Sequence, residues 1–192
     1  MTMRRLFIIR RDLHLSPGKL AAMVGHCCEA YWTNLLKRGK IEDQEYYTLP
    51  TLDEEGKSHW WRFRHPKLAE ACKKAEEEGK PTFKVMAENP SKTYLISQVI
   101  DKDIWDNYVN DIFTKTICEA KNLNQLMKAK TMADELGLAE NIDYGFINDC
   151  CKTETTPENP DGTCTVGIWF RPLPDDVAHK ISKKYLLYRD KQ

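Results

Sequence analysis

Apolar and polar positions follow two different periods along this chain, and the places where the period changes mark its elements. Leu6-Phe7-Ile8-Ile9 is an unbroken apolar run held between Arg4-Arg5 and Arg10-Arg11. Such a run, bounded by charge, predicts a strand covered on both faces, so residues 6–9 are read as a central strand. Beyond Asp12 the period lengthens. Ser16 followed by Pro17 reads as an N-cap and a first-turn proline, and Leu20, Val24, Cys27, Tyr31 and Leu35 then recur on one helical face. Lys37 and Arg38 suit the negative end of that helix, and Gly39 is a good residue to end it.

From Lys40 to Lys57 the chain is polar and carries Pro50 and Gly56, the pattern of an exposed connection. His59-Trp60-Trp61-Arg62-Phe63-Arg64 is dense in rings and cations. Pro66 opens a helix to Glu78 with Leu68, Cys72 and Ala75 on one face; Glu76-Glu77-Glu78 is its solvated end, and Gly79 stops it. Thr82–Met86 and Thr93–Ile100 read as strands joined through Asn89-Pro90, which predicts a hairpin. A short helix over 104–109, a strand over 113–119 and a helix from Leu123 to Leu136, capped by Asn122 and closed by Gly137, follow. Strands are expected at Tyr144–Asn148 and Cys164–Phe170, then a helix capped by Asp175 running to Lys183, with Tyr185–Tyr188 as an extended tail. This order predicts an α/β protein, a three-layer α/β/α sandwich around a small mixed sheet.

With 192 residues the chain is long enough for one domain with a real core. Lysine plus arginine and aspartate plus glutamate number 29 each, so no global field draws in nucleic acid and any such site has to be a local patch. Arg4, Arg5, Arg10, Arg11 and Lys19 supply a candidate, joined by Lys37, Arg38 and Lys40. The seven cysteines are odd in number, include the adjacent pairs Cys27-Cys28 and Cys150-Cys151, and lack zinc-ligand spacing. Neither a disulfide framework nor a structural zinc follows from them, and a reducing cytoplasm fits best. No stretch is long enough to span a bilayer, so a soluble cytoplasmic protein without membrane association is expected.

Lys19 is the residue out of place. It falls in the first helical turn, where free N–H groups and the helix dipole favour anions, so a carboxylate or a substrate phosphate is expected beside it. Helical spacing sets Lys19, Met23, His26 and Ala30 on one face, with Ala21, Ala22 and Gly25 small enough to admit another backbone. A solvated lysine over a packed histidine is the structural alternative.

Three segments together resemble the class II (archaeal and eukaryotic type) peptidyl-tRNA hydrolases. The first is the opening strand with Asp12-Leu13, Gly18-Lys19-Leu20-Ala21-Ala22 and His26. The second is Lys130–Leu138 leading into the strand that ends near Asp149. The third is Thr163-Cys164-Thr165-Val166-Gly167-Ile168 with Pro172 and a terminal helix. On this resemblance the chain is a single domain with core 1–39 and 103–192 and an insertion at 40–102, holding a helix and a hairpin. It implies hydrolysis of the ester joining a peptide to the 3′-terminal ribose of tRNA, with the acceptor end of peptidyl-tRNA as partner and no metal or other cofactor. The resemblance carries the family's functional lysine to Lys19, its aspartate to Asp149, its threonines to Thr153 and Thr165, and its first-helix histidine to His26. Two departures are Met23, where the family has glutamine, and Cys151, where it has glycine. They leave open a second function, a catalytically impaired module that binds tRNA or a protein. A homodimer is compatible with either.

Ester hydrolysis requires water to lose a proton while charge grows on the carbonyl oxygen. Asp149, following an apolar strand, could accept that proton or orient the water, and Lys19 could stabilise the oxyanion or hold a phosphate. Thr153 and Thr165 would position substrate or water. His26, Met23, Arg10, Arg11 and Lys152 are the candidate substrate contacts. A turn or capping carboxylate is the alternative for Asp149. A competing chemistry uses a thiolate from Cys27, Cys28, Cys150 or Cys151 near His26, although buried inert thiols are the usual outcome. The His59–Arg64 cluster suits stacking on unpaired bases or, equally, a packed plug of tryptophans.

Overall fold

The computed structural model describes residues 2–43, 46–52, 56–57, 66–86 and 94–189. The chain divides into two compact units, residues 1–38 with 98–192, and residues 39–97.

The first unit is built on strand β1 (Met3–Arg10), which enters α1 (Pro17–Lys37). A short helix α3 (Lys102–Ile104), continued by a π-helical turn over Trp105–Val109, leads to β6 (Lys115–Ala120) and α4 (Leu123–Glu135). Then come β7 (Tyr144–Asp149), β8 (Cys164–Phe170), the short β9 (Leu173–Pro174), α5 (Asp175–Ser182) and β10 (Leu186–Leu187). The sheet order is β10-β6-β1-β8-β7, with β9 pairing the start of β1. β1 and β6 are parallel, and β8 runs antiparallel to both β1 and β7, so the sheet is mixed.

The apolar run behaves as its pattern demands. Leu6, Phe7, Ile8 and Ile9 are all fully buried, each side chain contributing about 2 kcal/mol of burial. Because side chains alternate across a strand, Leu6 and Ile8 meet Leu126, Ala129 and Ala133 of α4 and Ala178 and Ile181 of α5 in one core. Phe7 and Ile9 meet Met23, Cys27 and Tyr31 of α1, with Ile104 and Tyr108, in the other. Helices on both faces of a mixed sheet are the predicted α/β/α sandwich.

Several local expectations change. β6 begins at Lys115 rather than Phe113, since Phe113 has a φ of 53° and cannot continue a strand. Pro174, with φ −51° and ψ 142°, is the cap residue of α5, and Asp175 stands inside the first turn, ion-paired with Arg4 at 2.7 Å. The tail is not loose: Leu186 and Leu187 pair antiparallel with Glu119 and Cys118. Gly25 opens on free space, so no neighbouring backbone exploits it.

In the second unit, β2 (Lys40–Asp43) pairs with β5 (Tyr94–Ser97), β3 (Tyr46–Pro50) pairs with β4 (Thr82–Met86), and α2 (Pro66–Glu77) buries Cys72 and Ala75 near Leu49. The expected hairpin between residues 82–86 and 93–100 is replaced by these nested antiparallel pairings, and the expected connection at 40–57 contains two strands. Strands that need not be covered on both faces lack the apolar run that marks β1, so pattern alone passes them over. The His59–Arg64 cluster lies outside the described residues.

Candidate active site

The site forms where β7 ends against the start of α1. On β7, Gly145, Ile147 and Asp149 share the face turned to α1, so strand alternation delivers the Asp149 carboxyl to the first turn of that helix. Between β7 and β8 the register shifts: Ile147 pairs Gly167 but Asn148 pairs Thr165, leaving Val166 as an extra residue. A bulge of this kind re-aims side chains at a strand end.

Lys19 occupies the third helical position, its N–H bonded to the Ser16 hydroxyl at 3.3 Å. A glutamate at that position commonly reaches back to the N-cap N–H. Here that task falls to a distant residue: Ser16 N–H donates to Glu154 Oε2 at 2.8 Å and Ser16 Oγ donates to Glu154 Oε1 at 2.5 Å. Lys19 is thereby released for other partners. Its Nζ donates to Asp149 Oδ1 at 2.8 Å and to Thr153 Oγ1 at 3.1 Å. The Thr155 hydroxyl donates to Asp149 Oδ2. The lysine and aspartate side chains keep 14% and 7% of their surface, enough to be reached at an edge and too little for water to dissolve the pair.

Burial pushes the Asp149 carboxyl up, yet the hydrogen bonds from Lys19 and Thr155, the lysine's charge and the Cys151 N–H together hold it below the ordinary aspartate range. The hydrogen bond to Asp149 raises Lys19 above the ordinary lysine value against the opposing effect of burial. Both groups are therefore charged at neutral pH. Cys151 adopts φ 55°, the left-handed conformation that glycine tolerates, which gives a physical reason for glycine at this place.

Lys19, Asp149 and Thr153 thus converge. Thr165 does not join them: its hydroxyl donates to Asn148 Oδ1 at 3.0 Å and accepts from Asn159 Nδ2 at 3.2 Å. Met23 is buried in the core with Cys27 and Tyr31, so it faces the sheet rather than a substrate. His26 and Lys152 are exposed. Arg10, expected to hold phosphate, is itself buried and saturated: it pairs with Asp12 at 2.7 Å and with Glu158, and donates to the Thr165 carbonyl at 2.9 Å. Arg11 pairs with Glu119 at 3.3 Å, lies over the Tyr188 ring and donates to the Arg189 carbonyl. The arginine patch read from sequence is therefore mostly internal architecture.

Sequence reasoning passed over Thr155, Glu154 and Glu158, all in the loop after β7. Their signal would have been acids and hydroxyls alternating through Thr153-Glu154-Thr155, but nothing local says which of them turns inward. The buried thiols Cys27 and Cys164 offer little chemistry. Burial pushes Cys27 up to about 12 and Cys164 to about 11, and the Cys151 thiol donates to the Asp149 carbonyl at 3.4 Å. A groove of about 780 Å³ runs beside α1, lined by Leu15, Pro17, Leu20, Ala21, Val24 and Ile117 among others; neither Lys19 nor Asp149 lines it.

A family model described as peptidyl-tRNA hydrolase PTH2 matches residues 3–188. The chain belongs to the peptidyl-tRNA hydrolase PTH2 family. The family's described activity is hydrolysis of peptidyl-tRNA. No curated protein matches the chain. Among the described residues no group of three or more His, Cys, Asp or Glu could hold a metal ion, and no helix is long and apolar enough to cross a membrane.

Proposed function

We propose that this chain hydrolyses the ester between a peptide, or an N-blocked amino acid, and the 3′-terminal ribose of tRNA, using Lys19 and Asp149. The observation that carries this reading is the ion pair between the two at 2.8 Å, at the edge of the surface in a chain of this family. Lys19, protonated and anchored, is suited to stabilise the negative charge that grows on the ester carbonyl, an effect typically worth roughly two to three orders of magnitude in rate. Asp149, held as a strong acid, is a weak base; its role is to fix the lysine and orient the attacking water rather than to keep the proton. Thr153 Oγ1 accepts from Lys19, which leaves its own O–H to donate to substrate or water. Lys152, exposed and next to Thr153 in sequence, is the residue we assign to a phosphate of the acceptor end.

Met23 lies in the core and Cys151 holds the backbone form that glycine would take, so the two departures from the family pattern leave the pair intact. That favours turnover over a silent binding module. The test is release of tRNA from N-blocked aminoacyl-tRNA by purified protein. Wild type is expected to turn over, with Lys19→Ala and Asp149→Asn each slower by about a hundredfold or more. Turnover unchanged in both variants overturns the assignment; tight tRNA binding with no turnover in wild type selects the binding module.

A further inference from the structure

The two oxygens of the Asp149 carboxylate have different partners. Oδ1 faces Lys19 at the edge of the site, whereas Oδ2 receives the hydroxyl of Thr155 from inside the molecule. Thr155 is itself buried, keeping 7% of its surface. The loop that carries it is fixed on both sides of Thr155, by Glu154 on Ser16 and by Glu158 on Arg10. The hydroxyl's position is thus set by anchors that do not involve Asp149. An aspartate carboxylate turns in a broad well about its last torsion, so a single partner on one oxygen leaves its plane free to rotate. A second donor on the other oxygen removes that freedom.

We propose that Thr155 is a positioning residue of this site: by holding Oδ2 it sets the plane of the Asp149 carboxylate and presents Oδ1 to Lys19. The proposal rests on the hydrolase reading of Lys19 and Asp149. The charged and titratable groups around Asp149 are Lys19 from α1, and Glu154, Cys150 and Cys151 from the loop. Lys19 and the Thr155 hydroxyl both favour the carboxylate form, against the burial that opposes it. Loss of that hydroxyl removes its donor from Oδ2 in a place where little water can replace it.

Thr155→Val keeps the shape and removes the donor, while Thr155→Ser keeps the donor and removes a methyl. The decisive measurement is the titration of the Asp149 carboxyl carbon by NMR in the full chain, assigned through Asp149→Asn, with tRNA release followed in parallel. In Thr155→Val the Asp149 midpoint is expected to rise by about one pH unit, and kcat to fall about tenfold with KM unchanged. Thr155→Ser is expected to titrate as wild type and to recover most of kcat. An unmoved midpoint in Thr155→Val, or equal shifts in the valine and serine variants, overturns the proposal and reduces Thr155 to a space-filling role. Should Thr155→Val fail to fold, Thr155→Ala removes the donor without adding a methyl and gives the same readout. Wild type that releases no tRNA defeats the hydrolase reading, while the titration still decides whether Thr155 governs Asp149.

Discussion

Lys19 and Asp149 change one another's ionisation in opposite senses, and the sign of each change fixes how the fold responds to pH. Asp149 is held below its ordinary value, so its contribution to stability is present above the ordinary aspartate range and is lost as pH falls through the depressed value. Lys19 is raised, so its contribution is present below the ordinary lysine value and is lost as pH rises through the raised one. Between about pH 4 and about pH 10 both contributions are in place. The double variant Lys19→Met with Asp149→Asn is therefore expected to differ from wild type most in urea midpoint near neutrality and to converge with it at both extremes. Cys151 is a second residue-scale case. Its left-handed backbone costs a side chain about 1 kcal/mol, so Cys151→Gly is expected to leave stability unchanged or raise it by up to about that amount in urea unfolding.

Elements here are fastened by residues that pattern alone would call surface. Arg5 is fully buried between β1 and α1, donating to the carbonyls of Cys27 and Cys28 at 2.7 and 2.6 Å and to that of Phe170 at 3.3 Å, with its guanidinium near the rings of Phe7 and Tyr31. Lysine cannot reproduce that fork. Arg5→Lys is expected to cost about 2 kcal/mol in chemical unfolding. β8 approaches β1 closely because Gly167 has no side chain: a Cβ there would lie 2.8 Å from the Ile8 carbonyl oxygen and 2.7 Å from the Ile9 side chain. Backbone cannot step aside as a flexible side chain does. Gly167→Ala is expected to destabilise by about 1–3 kcal/mol, read as a lower thermal midpoint. The Glu154 cap joins the loop after β7 to α1, so losing it should loosen Thr153 and Thr155 together.

At the scale of the whole molecule, the balance of charge matters less than where the cations are engaged. Arg4, Arg10 and Arg11 pair with Asp175, with Asp12 and Glu158, and with Glu119, and Arg5 is in the core. These arginines bind the protein to itself rather than to a phosphate. They are accordingly expected to add little to the fall of tRNA affinity with salt, whereas Lys152→Ala is expected to lower the slope by about one. A steep slope, measured by filter binding across salt concentrations, would mean that cations elsewhere carry the tRNA.

By itself the sequence determined the sandwich, because an uninterrupted apolar run and helical apolar stripes leave those segments no stable place but a layered core. It also singled out Lys19, since a cation in the first turn of a helix needs an anion nearby. Which anion answered was a tertiary matter. Glu154 lies 138 residues from Ser16 and Asp149 lies 130 from Lys19, and no local pattern encodes a meeting over such separations. The same holds for Arg10, which reads as a surface cation until Glu158 folds onto it, and for Thr155, whose inward turn depends on a loop pinned at both sides. Periodicity reports which face of an element is covered, whereas the partner that covers a polar group is chosen only when distant segments pack.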